Sequence, residues 1–458
     1  MIRKLSAHNF KSWKQTGEVR LAPITGLFGS NSSGKTSLLQ LLLMLKQTTE
    51  SSDRAQVLNL GDAGSLVELG TFPDVLFAHE KESNLSLQLD WDLPSTLKIP
   101  DPERKGRILF SGKTLGFEAE IEESDSGRMS VKEINYRFAK QRFGTRKLAK
   151  GEGHYTLFPL KKQPPGNFRF IRTPGRVWDL PKPIKCYGFP DQVKAYFQNA
   201  AFLSDFELAF DDLFARVFYL GPLREYPKRQ YTWAGAQPAD MGRRGERVVD
   251  ALLASRERGE RISRGKGRKS FTIEEFVAYW LKELKMIHSF SVEPIKEGSN
   301  LYQVWVQKSP TSARVLITDV GFGVSQILPV LTLCYYVPEG STLLMEQPEI
   351  HLHPSVQAGL ADVFIDAVKT RKIQIILESH SEHLLKRLQR RIAEEQLSSE
   401  EAALYFCDMK AGFSTLRPLN LDIFGNITNW PEGFFGDEFE EMAATTRAIM
   451  ERKKRGEG

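Results

Sequence analysis

Gly29-Ser30-Asn31-Ser32-Ser33-Gly34-Lys35-Thr36 stands between an apolar run ending at Phe28 and a leucine-rich stretch over residues 37–45. The octet fits G-x-x-x-x-G-K-[ST], and a strand before it with a helix after it is the context that this motif requires. Its glycines let backbone N–H groups turn inward around phosphate oxygens at a helix N-terminus. Lys35 then brings a point charge to the β- and γ-phosphates, and the Thr36 hydroxyl is a ligand for Mg²⁺. The expected phosphate contacts are Gly29, Asn31, Ser33, Gly34, Lys35, Thr36 and Ser37. A glycine turn that happens to precede Lys-Thr is the bland alternative, and it leaves the context on both sides unexplained.

Working outward, such a site needs a second acidic ligand for the metal, carried at the end of a neighbouring buried strand. Thr342-Leu343-Leu344-Met345-Glu346 supplies it, with Glu346 as the ligand. His380 closes a further apolar run, Ile375-Ile376-Leu377-Glu378-Ser379-His380. Ligands of open α/β sheets lie at such carboxyl ends of strands. The periodicity predicts strands over 5–10, 19–28, 302–306, 315–317, 342–345 and 373–377, and helices over 37–45, 271–284, 325–336 and 356–368. That alternation implies an α/β fold with a mostly parallel sheet covered on both faces.

Between these segments the pattern changes. Runs such as Leu85-Ser86-Leu87-Gln88-Leu89, punctuated by Gly, Ser and Pro, predict an antiparallel β insertion over 85–170. Residues 191–218 read as helix, with Val193, Phe197, Phe202, Phe206 and Phe210 near helical spacing. A stacking surface for bases is the other reading of these phenylalanines, and core is the commoner use of such a pattern. The expected organisation is an N-terminal part of the α/β unit over 1–80, a β-rich then helical insertion with basic loops over 81–300, a C-terminal part of the α/β unit over 301–425 and a tail over 426–458.

The chain has 458 residues, 41% hydrophobic and 26% charged, which excludes collagenous and wholly disordered classes. Its longest apolar run, 327–337, is shorter than the roughly 20 residues that span a bilayer, so no membrane association and a cytoplasmic location are expected. Cys186, Cys334 and Cys407 form no CxxC pair and are expected in the core. Lys plus Arg number 63 against 57 acidic residues, a net +6, but the excess is uneven. Residues 128–185 hold 15 basic and 3 acidic residues, and 243–269 hold ten and four. Such surfaces attract phosphate backbones or are solvated faces, and both readings stay open here.

The phosphate loop, the Leu344-Met345-Glu346-Gln347-Pro348-Glu349-Ile350-His351-Leu352-His353-Pro354 segment and Glu378-Ser379-His380-Ser381-Glu382-His383 together resemble the ABC-type ATPase head of the RecF, SMC and OLD-like group. Within it, the chain looks most like stand-alone bacterial AAA family ATPases without a nuclease domain, on Tyr219-Leu220-Gly221-Pro222-Leu223-Arg224 and on the Asn-Trp-Pro-Glu-Gly-Phe-Phe tail at 429–435. The resemblance implies ATP and Mg²⁺ as ligands, and a glycine-rich signature acting in trans, here Gly321, Gly323, Ser325 and Gln326. It implies that two heads sandwich two ATP molecules, with His380 as the γ-phosphate switch. The family's glutamate after the metal-side acid is replaced by Gln347, which can orient a water but cannot accept its proton, and two readings of Glu349 stay open: a substitute base, or a seam residue that pairs with an arginine. Hydrolysis is therefore expected to be slow. Two HxH or HxxH pairs, His351 with His353 and His380 with His383, also admit a zinc site. The family's magnesium-sensing glutamine has no assigned position in the sequence, and Gln47, at the end of the first helix, reads as a surface residue.

Three functions follow. The first is an oligomeric, ATP-dependent switch, a homodimer or larger, that controls a separately encoded nuclease or toxin in phage defence. The second is a RecF-like ATPase that clamps nucleic acid with its basic insertion. The third is a self-contained nuclease, which needs more than the 50 residues that follow Asp408 and is not expected.

Overall fold

The computed structural model describes the chain except residues 81–83, 102–105, 125–126, 150–152, 162–167, 176–178, 266, 268, 432–444 and 451–458. From the N-terminus the elements are β1 (Ile2–Phe10), β2 (Trp13–Gln15), β3 (Val19–Arg20), β4 (Ile24–Gly29), α1 (Lys35–Glu50), α2 (Phe72–Val75), β5 (Leu85–Pro100), β6 (Ile108–Glu123), β7 (Met129–Phe138), β8 (Gln141–Lys147) and β9 (Tyr155–Phe158). Then come α3 (Val193–Tyr196), α4 (Leu203–Ala215), β10 (Val217–Leu220), β11 (Tyr231–Thr232), α5 (Val248–Glu257), β12 (Ile262–Ser263), β13 (Ser270–Phe271), α6 (Ile273–Glu283), β14 (Ser289–Pro294), β15 (Leu301–Gln307) and β16 (Arg314–Leu316). The chain continues through α7 (Phe322–Tyr336), β17 (Thr342–Glu346), α8 (Pro354–Arg371), β18 (Gln374–Glu378), α9 (Glu382–Ala393), β19 (Ala402–Lys410) and β20 (Phe413–Leu419).

The fold is mixed α/β, and parallel pairing is confined to one of its sheets. That sheet runs β10-β17-β18-β4-β19-β20, parallel up to β19 and antiparallel at its last pair. Every residue of β4, β17 and β18 is buried, as strands covered on both faces require. Their side chains alternate between two cores. Leu27, Leu344 and Ile376 face α1 and the antiparallel sheet, while Leu343, Met345, Ile375 and Leu377 face α7, α8 and α9. The leucines of α1 at 38, 39, 41, 42, 43 and 45 are all buried, so this helix is enclosed rather than amphipathic.

The expectation of a mostly parallel sheet is thus corrected for the molecule as a whole. The larger sheet, β2-β1-β5-β6-β7-β8-β9 with β3 beside β1, is antiparallel throughout its described pairs. In β5, Leu85, Leu87, Leu89 and Trp91 are buried and the intervening residues are partly exposed, the signature of a sheet with one wet face. Against its dry face lies α4, whose Phe206, Phe210 and Phe214 recur every four residues. Phe117 and Tyr187 pack on Phe210 with ring centroids 4.7 and 4.6 Å away. Truncating such a phenylalanine to alanine costs about 3–5 kcal/mol. These rings are core, which leaves no exposed row for bases.

Two expected elements divide differently. The run 19–28 is not one strand, because Pro23 has no N–H to offer a ladder: β3 pairs with β1, and β4 enters the parallel sheet. The run 191–218 is two helices and then β10, a strand in the sheet that carries the phosphate loop. Cys186, Cys334 and Cys407 are buried and unpaired. Among the described residues no helix is long and apolar enough to cross a membrane.

Candidate nucleotide site

Four parallel strands bring their carboxyl ends to one edge. Register sets Leu220 beside Met345, Glu346 beside Glu378, and Glu378 beside Leu27. The polar residues that follow each strand therefore meet, as they do at ligand sites of open α/β sheets.

From β4 the chain turns through the phosphate loop into α1. Gly29 and Gly34 have φ of 136° and 88°, a region in which side chains are strained. Space forbids one as well: a Cβ on Gly29 would lie 2.0 Å from the Cys407 carbonyl oxygen, and one on Gly34 2.4 Å from Ser414 Oγ. The Trp13 indole donates to the Gly34 carbonyl at 3.1 Å, and Ser414 Oγ bonds Ser12 Oγ at 2.7 Å, so two hairpins brace the loop. Asn31 is exposed on the loop, whereas Ser33 is buried and donates to the Ser30 carbonyl at 2.8 Å. Ser37 lies in the first turn of α1, half-buried.

Lys35 is only 2% exposed. Its ammonium donates to the carbonyls of Gly29 at 3.1 Å and Ser30 at 2.6 Å. Desolvation lowers its pKa, opposed by Glu378. Thr36 donates to Glu378 Oε2 at 2.7 Å, and Glu378 Oε1 stands 4.0 Å from Lys35. Glu378, given no role on the strength of the sequence, is thus the acid in direct contact with the loop. Burial raises its pKa.

Glu346 lies one strand further out and accepts from the Tyr219 hydroxyl at 2.8 Å. Burial, with a smaller push from Glu378, raises its carboxyl to about 7 against the stabilising Tyr219 bond. Gln347 has φ of 43° and begins a turn through Pro348 that folds Glu349 back over the end of β18. Glu349 Oε1 accepts from Ser379 Oγ and from the His380 N–H, each at 2.8 Å, while Oε2 is buried without a partner. No arginine of the same chain pairs with Glu349 among the described contacts. The half-buried His380 has its pKa lowered by desolvation and by Lys35.

The glycine-rich segment lies elsewhere. Gly321 caps α7, and Phe322 stacks edge-on against His351 at 5.3 Å and near Tyr226 at 5.6 Å. Ser325 and Gln326 are buried, at 6% and 3% exposure, and Ser325 Oγ donates to the Phe322 carbonyl at 2.7 Å. The outward face is therefore Gly321, Phe322 and Gly323. Among the described residues no hydrogen bond, ion pair or ring contact joins this segment to residues 29–37.

The residues present fit a nucleotide with Mg²⁺. The loop has room for backbone alone, a lysine and a threonine stand at its helix start, and the nearby donors are carboxylates and a hydroxyl, which suit a hard cation. Thr36, Glu346 and Glu378 would hold the metal. Among the described residues no three His, Cys, Asp or Glu gather for another ion. His353 instead caps α8 through Ser355. Gln47 is corrected from surface to core: 5% exposed, it bonds the Asn59 carbonyl at 2.7 Å and pins the following loop.

Much of the basic excess is neutralised within the fold. Lys132, Arg142, Arg146 and Lys147 pair with Glu120, Glu118, Glu133 and Glu122 at 2.5–2.8 Å. Lys185 is buried and donates to the Thr49 and Ser51 carbonyls. Arg264 stacks on Tyr279 at 4.3 Å and pairs with Asp366.

Residues 256–385 match the AAA ATPase domain family, a span that contains the α7 glycines, Glu346 to Glu349 and His380. That match spans 130 of the chain's 458 residues. Residues 397–444 match a family described as protein of unknown function, and of the tail segment 429–435 within it only 429–431 are among the described residues. Comparison with curated proteins gives no match. Among solved structures the chain is similar to an SMC head bound to the C-winged helix domain of ScpA, with 11% identity, 92% of this chain and 98% of that chain covered, and a TM-score of 0.46. It is similar to the SMC head domain from Thermotoga maritima, with 11% identity, coverage of 92% and 99%, and a TM-score of 0.40. An Smc head with an extended coiled coil, bound to the C-terminal domain of ScpA derived from Pyrococcus furiosus, gives 10% identity, coverage of 98% and 99%, and a TM-score of 0.41.

Proposed function

We propose that the chain is an ABC-type ATPase that binds and slowly hydrolyses ATP, associates with a second copy when ATP is bound, and so acts as a switch over a separately encoded effector in phage defence. The observation that carries the nucleotide reading is the convergence of Lys35, Thr36, Glu378, Glu346 and Glu349 at one end of one sheet. Bound Mg²⁺ would offset charge on the phosphates. In this reading Lys35 leaves the Gly29 and Ser30 carbonyls to hold the terminal phosphates, and the Thr36 hydroxyl leaves Glu378 for the metal. Gln347 orients the attacking water and Glu349 takes its proton. Slow turnover is supported by Gln347, which stands where a glutamate would accept the proton and cannot accept one itself, while Glu349 has one oxygen held by Ser379 and the His380 N–H.

The separation of the α7 glycines from the chain's own phosphate loop supports a site completed by a second copy. The effector rests on the likeness of the Tyr219 to Arg224 segment to stand-alone defence ATPases. Calorimetric titration of the full chain with Mg-ATP tests the nucleotide reading: saturable binding is expected, and its absence refutes it. Co-purification with the product of the neighbouring gene tests the effector. The nucleic-acid reading gains no support from basic residues already paired within the fold.

A further inference from the structure

Arg224 ends the segment that leads out of β10. It is only 4% exposed, yet a single guanidinium nitrogen finds an acceptor, Nη2 donating to the Glu346 carbonyl at 3.4 Å. Nε and Nη1 are buried with no partner. Of the nearby acids, Glu346 accepts from Tyr219 and Glu349 Oε1 from Ser379 and His380, while Glu349 Oε2 is itself buried without a partner and makes no bond to Arg224. A buried arginine so poorly compensated is destabilising, and an apolar side chain of like volume would serve stability better. Fixed, unsatisfied N–H donors of this kind suit an oxyanion, to which arginine offers a planar fork.

The place of Arg224 says which part of a ligand it meets. β10 is three strands from β4, roughly 14 Å at ordinary spacing, so a long side chain is needed to point back toward the loop. Its bond to the Glu346 carbonyl sets the guanidinium at the carboxyl end of β17, beside the turn that carries Glu349. We propose that Arg224 contacts the terminal phosphate of a nucleoside triphosphate held by the same chain, so that the site distinguishes triphosphate from diphosphate through this residue. The inference rests on the nucleotide reading above. It gives the β10 segment a role in the site that neither the phosphate loop nor the α7 glycines supply.

The test compares full-length wild type with Arg224→Met and Arg224→Lys. Affinities for Mg-ADP and for a Mg-bound non-hydrolysable ATP analogue are measured by calorimetry, and melting temperatures with no ligand, with either nucleotide and with inorganic phosphate. Arg224→Met is expected to lose at least tenfold in affinity for the triphosphate analogue and less than twofold for ADP. Its ligand-free melting temperature should stay level or rise, as relief of a buried charge predicts and loss of a structural contact does not. Arg224→Lys should retain part of the triphosphate preference. Equal losses for both nucleotides, or a lower ligand-free melting temperature with the preference intact, would overturn the assignment in favour of a structural arginine. Stabilisation by inorganic phosphate that needs Arg224, without any change in nucleotide preference, would overturn it in favour of a free-phosphate site. If wild type binds neither nucleotide, the nucleotide reading itself fails, and this inference with it.

Discussion

Thr36 donates its hydroxyl to Glu378 at 2.7 Å, and the other oxygen of that carboxylate stands 4.0 Å from the Lys35 ammonium. One buried acid thus engages the two side chains on which the phosphate loop depends. With Lys35 also bonded to the Gly29 and Ser30 carbonyls, the loop is held in a self-satisfied resting form. Nucleotide binding on this account is an exchange of partners rather than the filling of a rigid cradle.

Lys35→Ala tests that exchange. It removes two hydrogen bonds to loop carbonyls, so stability should fall by about 1–3 kcal/mol, since each contributes roughly 0.5–1.5 kcal/mol. The Trp13 and Ser414 braces remain, so the fold should persist. Nucleotide affinity should drop more than tenfold in calorimetry. Unchanged affinity would mean that Lys35 belongs to the fold alone.

The outward face of the α7 glycines should form the contact with a second copy. Ser325 makes a poor probe, because it is buried in its own subunit and an arginine there would disturb α7. Gly321 is exposed, has φ of −57° and has no atom within 4 Å of a Cβ position. Gly321→Arg should leave the ligand-free melting temperature within error while abolishing ATP-dependent association. If association survives, the contact between copies lies elsewhere.

Turnover should be slow, below the enzyme median of about 10 s⁻¹. Gln347→Glu supplies a base beside Glu346 and should raise the rate, with the full worth of a positioned base about 10²–10⁴ as the ceiling. Glu349→Gln should remove most residual activity while leaving ATP affinity within a few-fold. Equal rates in Glu349→Gln and wild type, read in a steady-state phosphate-release assay, would remove Glu349 from the chemistry.

Glu207, half-buried on α4, accepts from the Phe189 N–H, and burial raises its carboxyl from 4.5 to about 7. The folded chain keeps this proton between those values where the unfolded chain has lost it. Its contribution is therefore complete below about 4.5 and fades as pH rises through about 7. Glu207→Gln keeps an acceptor and removes the titration. The melting temperature of the variant relative to wild type should be more favourable at pH 8 than at pH 5, and a pH-independent difference would contradict the shift.

Much of this was legible in the residues. The octet at 29–36 names its own geometry, and the runs ending at Glu346 and His380 read as buried strands by composition. β10 was not legible, because Phe206, Phe210 and Phe214 continue to Phe218 at helical spacing and the strand is only four residues long. Missing it hid the Tyr219 contact to Glu346 and the burial of Arg224, both of which depend on pairing with a strand more than a hundred residues away. Glu378 was passed over because its role comes from standing beside Leu27 in the register, which no local pattern encodes. The basic runs looked like a single field because the acids that neutralise many of them lie on β6 and elsewhere in the fold.

Whether ATP held by Lys35 joins two copies through the α7 glycines is read from sedimentation velocity of the full chain with Mg-ATP and with Mg-ADP. A shift to a dimer or larger species is expected with ATP, little shift with ADP, and none for Lys35→Ala in either. The same sedimentation coefficient for wild type with and without ATP, at concentrations where binding is saturated, would contradict it.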